Sequence, residues 1–463
     1  MLIKAKKVIL LNYEGLTGRV ITPCDPEYAL ARQEWNKAID TFPRAIVYCR
    51  NAQDVANAIC WSRKHCIPLR VRSGAHHYEG YSSGTGTLVI DTSLMNHIKV
   101  DTCQNTVTVE AGTRLKDLYQ TLSACGYAFA GGTCPTVGIS GLVLGGGIGL
   151  STRYLGLTAD NLIEATMIDA NGNQLTVNQN CNRDLFWALR GAGGGNFGVV
   201  VSYQFKIEAV KKITLIQLRW ENKPARLAFL EVWQEWLKGL DRRISGFGGI
   251  YKKSAYLNSF FYGTPAEAKE ILAPFLSIPG LTLRTIECVD FIDAVNIIGA
   301  RYERSAFQSP GGFVFRDFSR EELEKFIQIM DQAPSDTTSR LAVYSLGGAV
   351  RDIPETGTAF FYRSANYIMA VSSEWQNKSA APAHQAWVAE GFKYLKTLTC
   401  GSYVNFPYNR LKDYQEAYFG EYVEILQYIK RKYDPENIFC FPQSIKPAES
   451  VRNDLKSFPF EAE

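Results

Sequence analysis

The stretch Arg72-Ser73-Gly74-Ala75-His76-His77-Tyr78-Glu79-Gly80 carries two of the chain's five histidines. Adjacent imidazoles can form half of a metal site or stand as ordinary polar residues of a loop. No further histidine or cysteine lies near them at ligand spacing, which argues against a metal site. By spacing alone the pair stands equally for chemistry and for an ordinary polar loop.

Two glycine-dense stretches follow. The first contains Gly138-Ile139-Ser140-Gly141 and Gly145-Gly146-Gly147-Ile148-Gly149. So much glycine weakens a strand or a helix, and a cradle of backbone N–H groups around phosphate oxygens would offset that cost. The flanking Val137, Leu142, Val143, Leu144 and Ile148 are apolar, unlike a flexible surface loop. The second stretch, Gly193-x-Gly195-x-x-Gly198, fits the letters of the dinucleotide fingerprint. That fingerprint needs a strand before it and a helix after it. Here a helix-like run, 184–189, comes first, and the strand-like Val199-Val200-Val201-Ser202-Tyr203-Gln204-Phe205 comes after. A Rossmann site is therefore set aside, although these glycines can still let backbone amides crowd a ligand.

Hydrophobic spacing predicts helices over 52–64, 114–124, 225–240 and 319–331. Strands are predicted over 69–72, 89–91, 106–109, 199–205 and 360–371. Short strands and helices mixed in this order indicate an α+β fold. Glycine density falls after about residue 210 and returns near the C-terminus. The expected organisation is one domain over 1–210, completed by 400–463, and a second over 211–399.

Composition narrows the function classes. The chain is 46% hydrophobic and 21% charged, a globular rather than a disordered balance. Fifty basic and 46 acidic residues are interspersed, for a net +4, with no basic stripe of the kind nucleic-acid binding needs. No apolar run reaches the ~20 residues of a membrane span. Residues 1–11 lack the apolar stretch and cleavage site of a signal peptide, so a cytoplasmic location is expected. Eleven scattered cysteines, without C-x-x-C pairs, argue against structural zinc and against a complete disulfide framework.

The ordered set of motifs resembles the berberine bridge enzyme-like FAD-linked oxidases of bacterial type, within the vanillyl-alcohol-oxidase or PCMH-type flavoproteins. It runs from the His76 loop through Cys134-Pro135-Thr136-Val137-Gly138, residues 145–149, Gly156-Leu157-Thr158-Ala159-Asp160-Asn161 and Asp184-Leu185-Phe186-Trp187-Ala188 to Gly193-Gly194-Gly195-Asn196-Phe197-Gly198. Tyr403-Val404-Asn405-Phe406, Tyr433-Asp434-Pro435-Glu436-Asn437-Ile438-Phe439 and Gln443-Ser444-Ile445 complete it. The resemblance implies a flavin domain of two mixed subdomains and a substrate domain whose antiparallel sheet is backed by helices. It implies FAD bonded covalently through His76 and Cys134. Further cofactor contacts are implied for Arg72, Ser73, Gly74, Ala75, His77, Val137, Gly138, Ser140, Gly141, Leu142, Ile148, Asp160, Asn161, Gly198, Val199, Val200, Tyr403 and Asn405. The implied reaction takes hydride from a small organic substrate, a sugar or secondary metabolite, and passes the electrons to O2, giving H2O2; the alternatives are a dehydrogenase that uses a non-oxygen acceptor and a flavin-binding protein that has lost catalysis. In the family the residue at Val137 lines the space where oxygen reacts, and a small side chain keeps that space open.

Several positions depart from the family pattern. Ala75 stands where a second glycine is usual, at little cost if its φ is negative. His77 replaces a small polar residue, and Ile148 an aromatic one. Phe406 stands where many members have the tyrosine that serves as base. The candidate replacements are Tyr408, Tyr362 and Tyr403. On a regular strand Tyr408 would share a face with Phe406, although Pro407 interrupts a ladder. Tyr362 lies in Thr358-Ala359-Phe360-Phe361-Tyr362-Arg363, expected as a strand of the substrate pocket. Arg363 or Arg410 would have to lower the tyrosine's pKa.

Overall fold

The computed structural model describes residues 12–449; the segment 1–11, read above for a signal peptide, lies outside them. Three sheets organise the chain. The first holds β1 (Arg19–Ile21), β2 (Ala45–Tyr48), β3 (Leu69–Arg72) and β4 (Leu88–Asp91), in the order β1-β2-β4-β3. It is mixed: β4 runs parallel to β2 and β3, and β1 antiparallel to β2. The predicted helix forms over Ala52–Lys64, started by Asn51, whose side chain accepts from the Asp54 N–H. It buries Val55, Ala58 and Ile59 completely in the core of this sheet.

The second sheet is wholly antiparallel, in the order β5-β6-β9-β7-β8, with β5 Ile98–Asp101, β6 Thr106–Glu110, β7 Leu162–Ile168, β8 Gln174–Asn178 and β9 Val199–Lys206. The helix Arg183–Ala188 precedes β9, as its sequence suggested. Glycine-rich segments leave from the ends of these elements and run toward the third sheet.

That third sheet has eight antiparallel strands: β10 Lys212–Trp220, β11 Ile244–Tyr251, β12 Ala255–Phe261, β13 Leu281–Asp290, β14 Ala306–Gln308, β15 Gly311–Val314, β16 Ser339–Ser345 and β17 Tyr367–Trp375. The main path is β13-β10-β12-β11-β16-β17-β14, and β15 also pairs with β17. Helices Pro224–Leu237, Arg320–Asp331 and Ala381–Leu398 pack behind it. They bury alternate strand residues such as Leu257, Leu341, Val343 and Val371. The residues between face the opposite way. Two mixed layers and a helix-backed antiparallel sheet make the α+β fold expected.

One predicted element differs. The strand expected over 360–371 starts only at Tyr367. Residues 358–366 form an irregular segment whose Phe360 and Tyr362 are buried by side-chain packing, not by a ladder. Among the described residues, no helix is long and apolar enough to cross a membrane.

Candidate active site

The glycine segments, the His76 loop and the bare face of the third sheet enclose one cavity of ≈ 470 Å³. His76 and Cys134 both line it and share a partner. His76 Nε2 lies 2.9 Å from the Thr136 hydroxyl, and Cys134 Sγ lies 3.5 Å from the same oxygen. The His76 ring stacks on Trp35, with centroids 4.4 Å apart. Burial, with the charges of Arg114 and Arg304, pushes the His76 pKa down to about 3. The imidazole is therefore held in its neutral form. Burial pushes the Cys134 thiol up, while hydrogen bonds to the Thr136 hydroxyl and to backbone N–H groups of Thr136 and Val137 pull it back.

The loops beneath are held by close backbone approach. A Cβ on Gly74 would collide with the Gly138 backbone, and one on Gly138 with Ser73 and Gly74. Ser73 and Ser140 each donate to the carbonyl of Ala111, at 2.7 Å. Ala75 has φ +58°, so the condition for a low cost is not met: an alanine occupies a left-handed position that favours glycine. Its carbonyl accepts from the Trp35 N–H at 2.8 Å, which fixes the ring stacked on His76. His77 accepts backbone N–H bonds from Glu79 and Tyr81 at Nδ1 (3.2 and 3.3 Å), and burial pushes its pKa down to about 4. It shapes the turn as a neutral acceptor.

The C-terminal segment locks the second glycine cluster. Lys430 is fully buried and donates to Asp434 Oδ2 (2.6 Å), Asn196 O (2.6 Å) and Phe439 O (2.7 Å). Asn196 and Gly193, Gly194 and Gly195 line the cavity. Asn405 donates to Leu142 O at 3.1 Å and to the Tyr403 hydroxyl at 3.2 Å, and the Gly147 N–H also donates to that hydroxyl, at 3.1 Å.

Among the expected site residues, the structure brings Ser73, Gly74, Ala75, His76, His77, Cys134, Val137, Gly138, Ser140, Gly141, Leu142, Ile148, Tyr403 and Asn405 to the cavity wall. Others stand behind it. Arg72 is buried against Asp91 (2.6 Å) and Glu34 (3.5 Å). Asp160 pairs with Arg363 at 2.6 Å, and Asn161 donates to Leu155 O and Leu157 O. Gly198, Val199 and Val200 belong to the second sheet and its lead-in.

Two candidate bases need correction. Tyr362 does not line the cavity; its hydroxyl donates to Ala417 O at 2.8 Å, and Arg363 is engaged by Asp160 instead. Tyr408 is also outside, packed edge-on against Phe392. The chain turns at Phe406, whose N–H bonds to Tyr403 O, so the alternation that would have put Tyr408 beside Phe406 is lost. Burial raises the pKa of both tyrosines.

The sheet wall holds residues that the sequence reading missed. Phe247 and Tyr251 on β11, Tyr256 and Asn258 on β12, Arg219 on β10, Arg340 and Tyr344 on β16, and Ser372 and Glu374 on β17 alternate with buried apolar residues and face the cavity. Register makes neighbours of Arg219 and Tyr256, of Tyr251 and Arg340, and of Phe247 and Tyr344. Arg340 pairs with Glu374 at 2.8 Å. The signal was available as polar and aromatic residues at alternate positions in apolar strands.

Relatives place this geometry. The FAD binding domain family pattern matches residues 43–178, and the pattern described as berberine and berberine like matches residues 402–446. An uncharacterised FAD-linked oxidoreductase of Bacillus subtilis is 35% identical over 94% of this chain and 99% of its own length. The chain belongs to the berberine bridge enzyme-like FAD-linked oxidoreductases. The chitooligosaccharide oxidase of Gibberella zeae is 29% identical over 91% of this chain and 92% of its own. The solved structure of wild-type BBE-like 1 from Physcomitrella patens superposes with TM-score 0.89 at 26% identity, over 94% of this chain and 98% of that one.

A berberine bridge enzyme-like protein must hold FAD, and the residues present fit it. A Cβ added at Gly141 would meet nothing within 4 Å, so this cavity-lining glycine leaves open room beside backbone. The glycine walls let a flat ring and phosphates approach main-chain amides. His76 and Cys134 both line that space and reach the same Thr136 hydroxyl.

Proposed function

We propose that this FAD-dependent oxidoreductase is a sugar or secondary-metabolite oxidase whose flavin is bonded to both His76 and Cys134. Supporting this is one relationship: both side chains line the cavity and reach the same Thr136 hydroxyl, at 2.9 and 3.5 Å. When bound, FAD accepts hydride from a substrate carbon and hands the electrons to O2, forming H2O2. Residues up to about 210 and from about 400 serve the flavin, and 211–399 supply the substrate wall.

The chain's own residues do the rest. Tethers at His76 and Cys134 would hold the flavin in place and, as electron-withdrawing substituents, would favour its reduction. Phe406 cannot take the hydroxyl or amine proton that hydride transfer leaves. Tyr344 is the acceptor we assign in its stead: it lines the cavity, its ring lies 5.3 Å from that of Phe406, and the Arg340 charge favours its phenolate. Burial nevertheless holds its pKa up to about 12, so only the small phenolate fraction can take the proton, and that fraction grows as pH rises. A chitooligosaccharide oxidase among the relatives supports a carbohydrate substrate. Val137, partly buried in the wall, suits access by oxygen.

The covalent claim is tested by acid denaturation and mass spectrometry. The chain should carry one added FAD, and His76→Ala and Cys134→Ala should each retain it through the other residue. The double variant should release it. Release from the unmodified chain would refute the covalent reading, and loss from His76→Ala alone would leave a single histidyl bond.

A further inference from the structure

We infer that the sheet wall of this cavity is built to receive an anionic group, so that the preferred substrate of the oxidase proposed above carries a carboxylate. This rests on that reading for the reaction but not for the binding.

The observation is an imbalance of charge on one wall. Three arginines, Arg219, Arg301 and Arg340, line the substrate side of the cavity, against Glu303 and Glu374. Glu374 is already committed: Arg340 donates to Oε1 at 2.8 Å and the Ser305 hydroxyl to Oε2 at 2.9 Å. Glu303 is exposed at the rim and makes no ion pair among the described residues. Arg219 is the informative residue. Its guanidinium lies over the Tyr256 ring, 4.8 Å from the centroid, and its Nη1 is buried without a hydrogen-bond partner. No carboxylate among the described residues forms a salt bridge with the Arg219 guanidinium, although Glu221 stands near enough to favour its charge. Arg301 stands close enough to disfavour the Arg219 charge further, and its own Nη1 donates only to the neutral Asn258 Oδ1, at 3.3 Å.

A carboxylate answers this excess of positive charge. It accepts from the part of the Arg219 guanidinium that faces the cavity, away from the closed-off Nη1, and it offsets the Arg219–Arg301 repulsion. Stacking on Tyr256 holds the guanidinium in orientation before the ligand arrives, which lowers the ordering cost of binding. The pyrophosphate of the cofactor is a poor alternative partner. The amides that suit it lie in the glycine segments, whereas Arg219 belongs to β10 of the substrate sheet. The substrate class is thus a small acid, a uronic acid being the form consistent with a carbohydrate oxidase.

Calorimetric titration of the holoenzyme tests this without turnover, using matched probes at constant ionic strength: glucuronate against glucose, and benzoate against benzamide. Within at least one pair the acid should bind roughly tenfold or more tightly than its neutral partner, the scale of one charge-assisted pair. Arg219→Met, which keeps the stem and the packing on Tyr256, should collapse that ratio toward one. Bromide or phosphate should compete with the acid. If no acid binds better than its neutral partner, or if Arg219→Met preserves the preference, the inference is overturned. Acid retention of the flavin is scored separately, so failure here is distinguishable from failure of the covalent-oxidase reading.

Discussion

Phe406 lies flat against Tyr78, with ring centroids 5.4 Å apart and planes 6° from parallel. Tyr344 closes on the same ring at 5.3 Å. The position where the family motif places a hydroxyl thus holds a bare ring, flanked by two tyrosines that have one. Burial drives the pKa of Tyr78 well above its ordinary value and that of Tyr344 up to about 12, with Arg340 opposing the rise in both and ranking second only to burial at Tyr344. General-base help is worth roughly a hundred- to ten-thousand-fold. Tyr344→Phe should slow anaerobic flavin reduction within that range, and adding Phe406→Tyr should restore part of the loss. Tyr362→Phe and Tyr408→Phe should leave the rate within about threefold, because neither reaches the cavity. A normal rate in Tyr344→Phe would remove it as the base.

Val137 governs the oxygen prediction. It lines the cavity and packs partly against the main core. In a close-packed wall one added methylene occupies space that a small molecule would need. After anaerobic reduction, Val137→Leu should reoxidise roughly tenfold more slowly in air-saturated buffer than the unmodified protein. Slow reoxidation of both proteins, over many minutes, would favour a dehydrogenase that uses another acceptor.

Ala75 stores strain beside His76. A non-glycine residue in the left-handed region costs about 1–2 kcal/mol, and glycine gives back about 0.5–1 kcal/mol through its freer unfolded chain. Ala75→Gly should therefore stabilise the holoenzyme by up to about 1 kcal/mol. Ala75→Val places a branched side chain at φ +58° and should destabilise by more than the glycine gains, with a smaller fraction of chains carrying flavin. Thermal denaturation and the ratio of flavin to protein absorbance measure both effects.

Local signals made part of this legible in sequence. The helix Ala52–Lys64 was set by a cap and an apolar stripe within a few residues. The glycine cluster before β9 was marked as non-Rossmann by the order of its neighbours. The sheet wall was not legible, because Tyr251 meets Arg340 only when strands about ninety residues apart pair. Tyr362 misled through its alternation with Phe360, since a buried irregular segment can imitate a strand's pattern. Tyr408 misled because strand alternation does not survive the turn made when the Phe406 N–H bonds to Tyr403 O. Lys430 gave no signal, since a lone lysine on an amphipathic helix usually faces water; only folding brings Asn196 O and Phe439 O to it.

The last prediction concerns Glu34, the residue before Trp35, whose ring stacks on His76. Glu34 is 2% exposed, 3.5 Å from Arg72 Nη1, and accepts from the Ser82 hydroxyl at 2.7 Å. Burial pushes its pKa up to about 7 from the ordinary 4.5; Arg72 and Ser82 oppose the shift, and Asp91, which already holds Arg72, adds to it. The folded protein then binds a proton that the unfolded chain has lost between those two values. Stability from this group is full below about pH 4.5 and falls as pH rises through about 7. The loss should be on the order of 1–3 kcal/mol. Glu79, also pushed up to about 7, contributes in the same sense, so the difference between variants carries the test. Glu34→Gln keeps the shape and cannot ionise. Urea midpoints from pH 5 to 8 should fall less steeply for Glu34→Gln than for the unmodified protein. Parallel profiles would mean that Arg72 keeps Glu34 ionised throughout, with the ion pair outweighing burial.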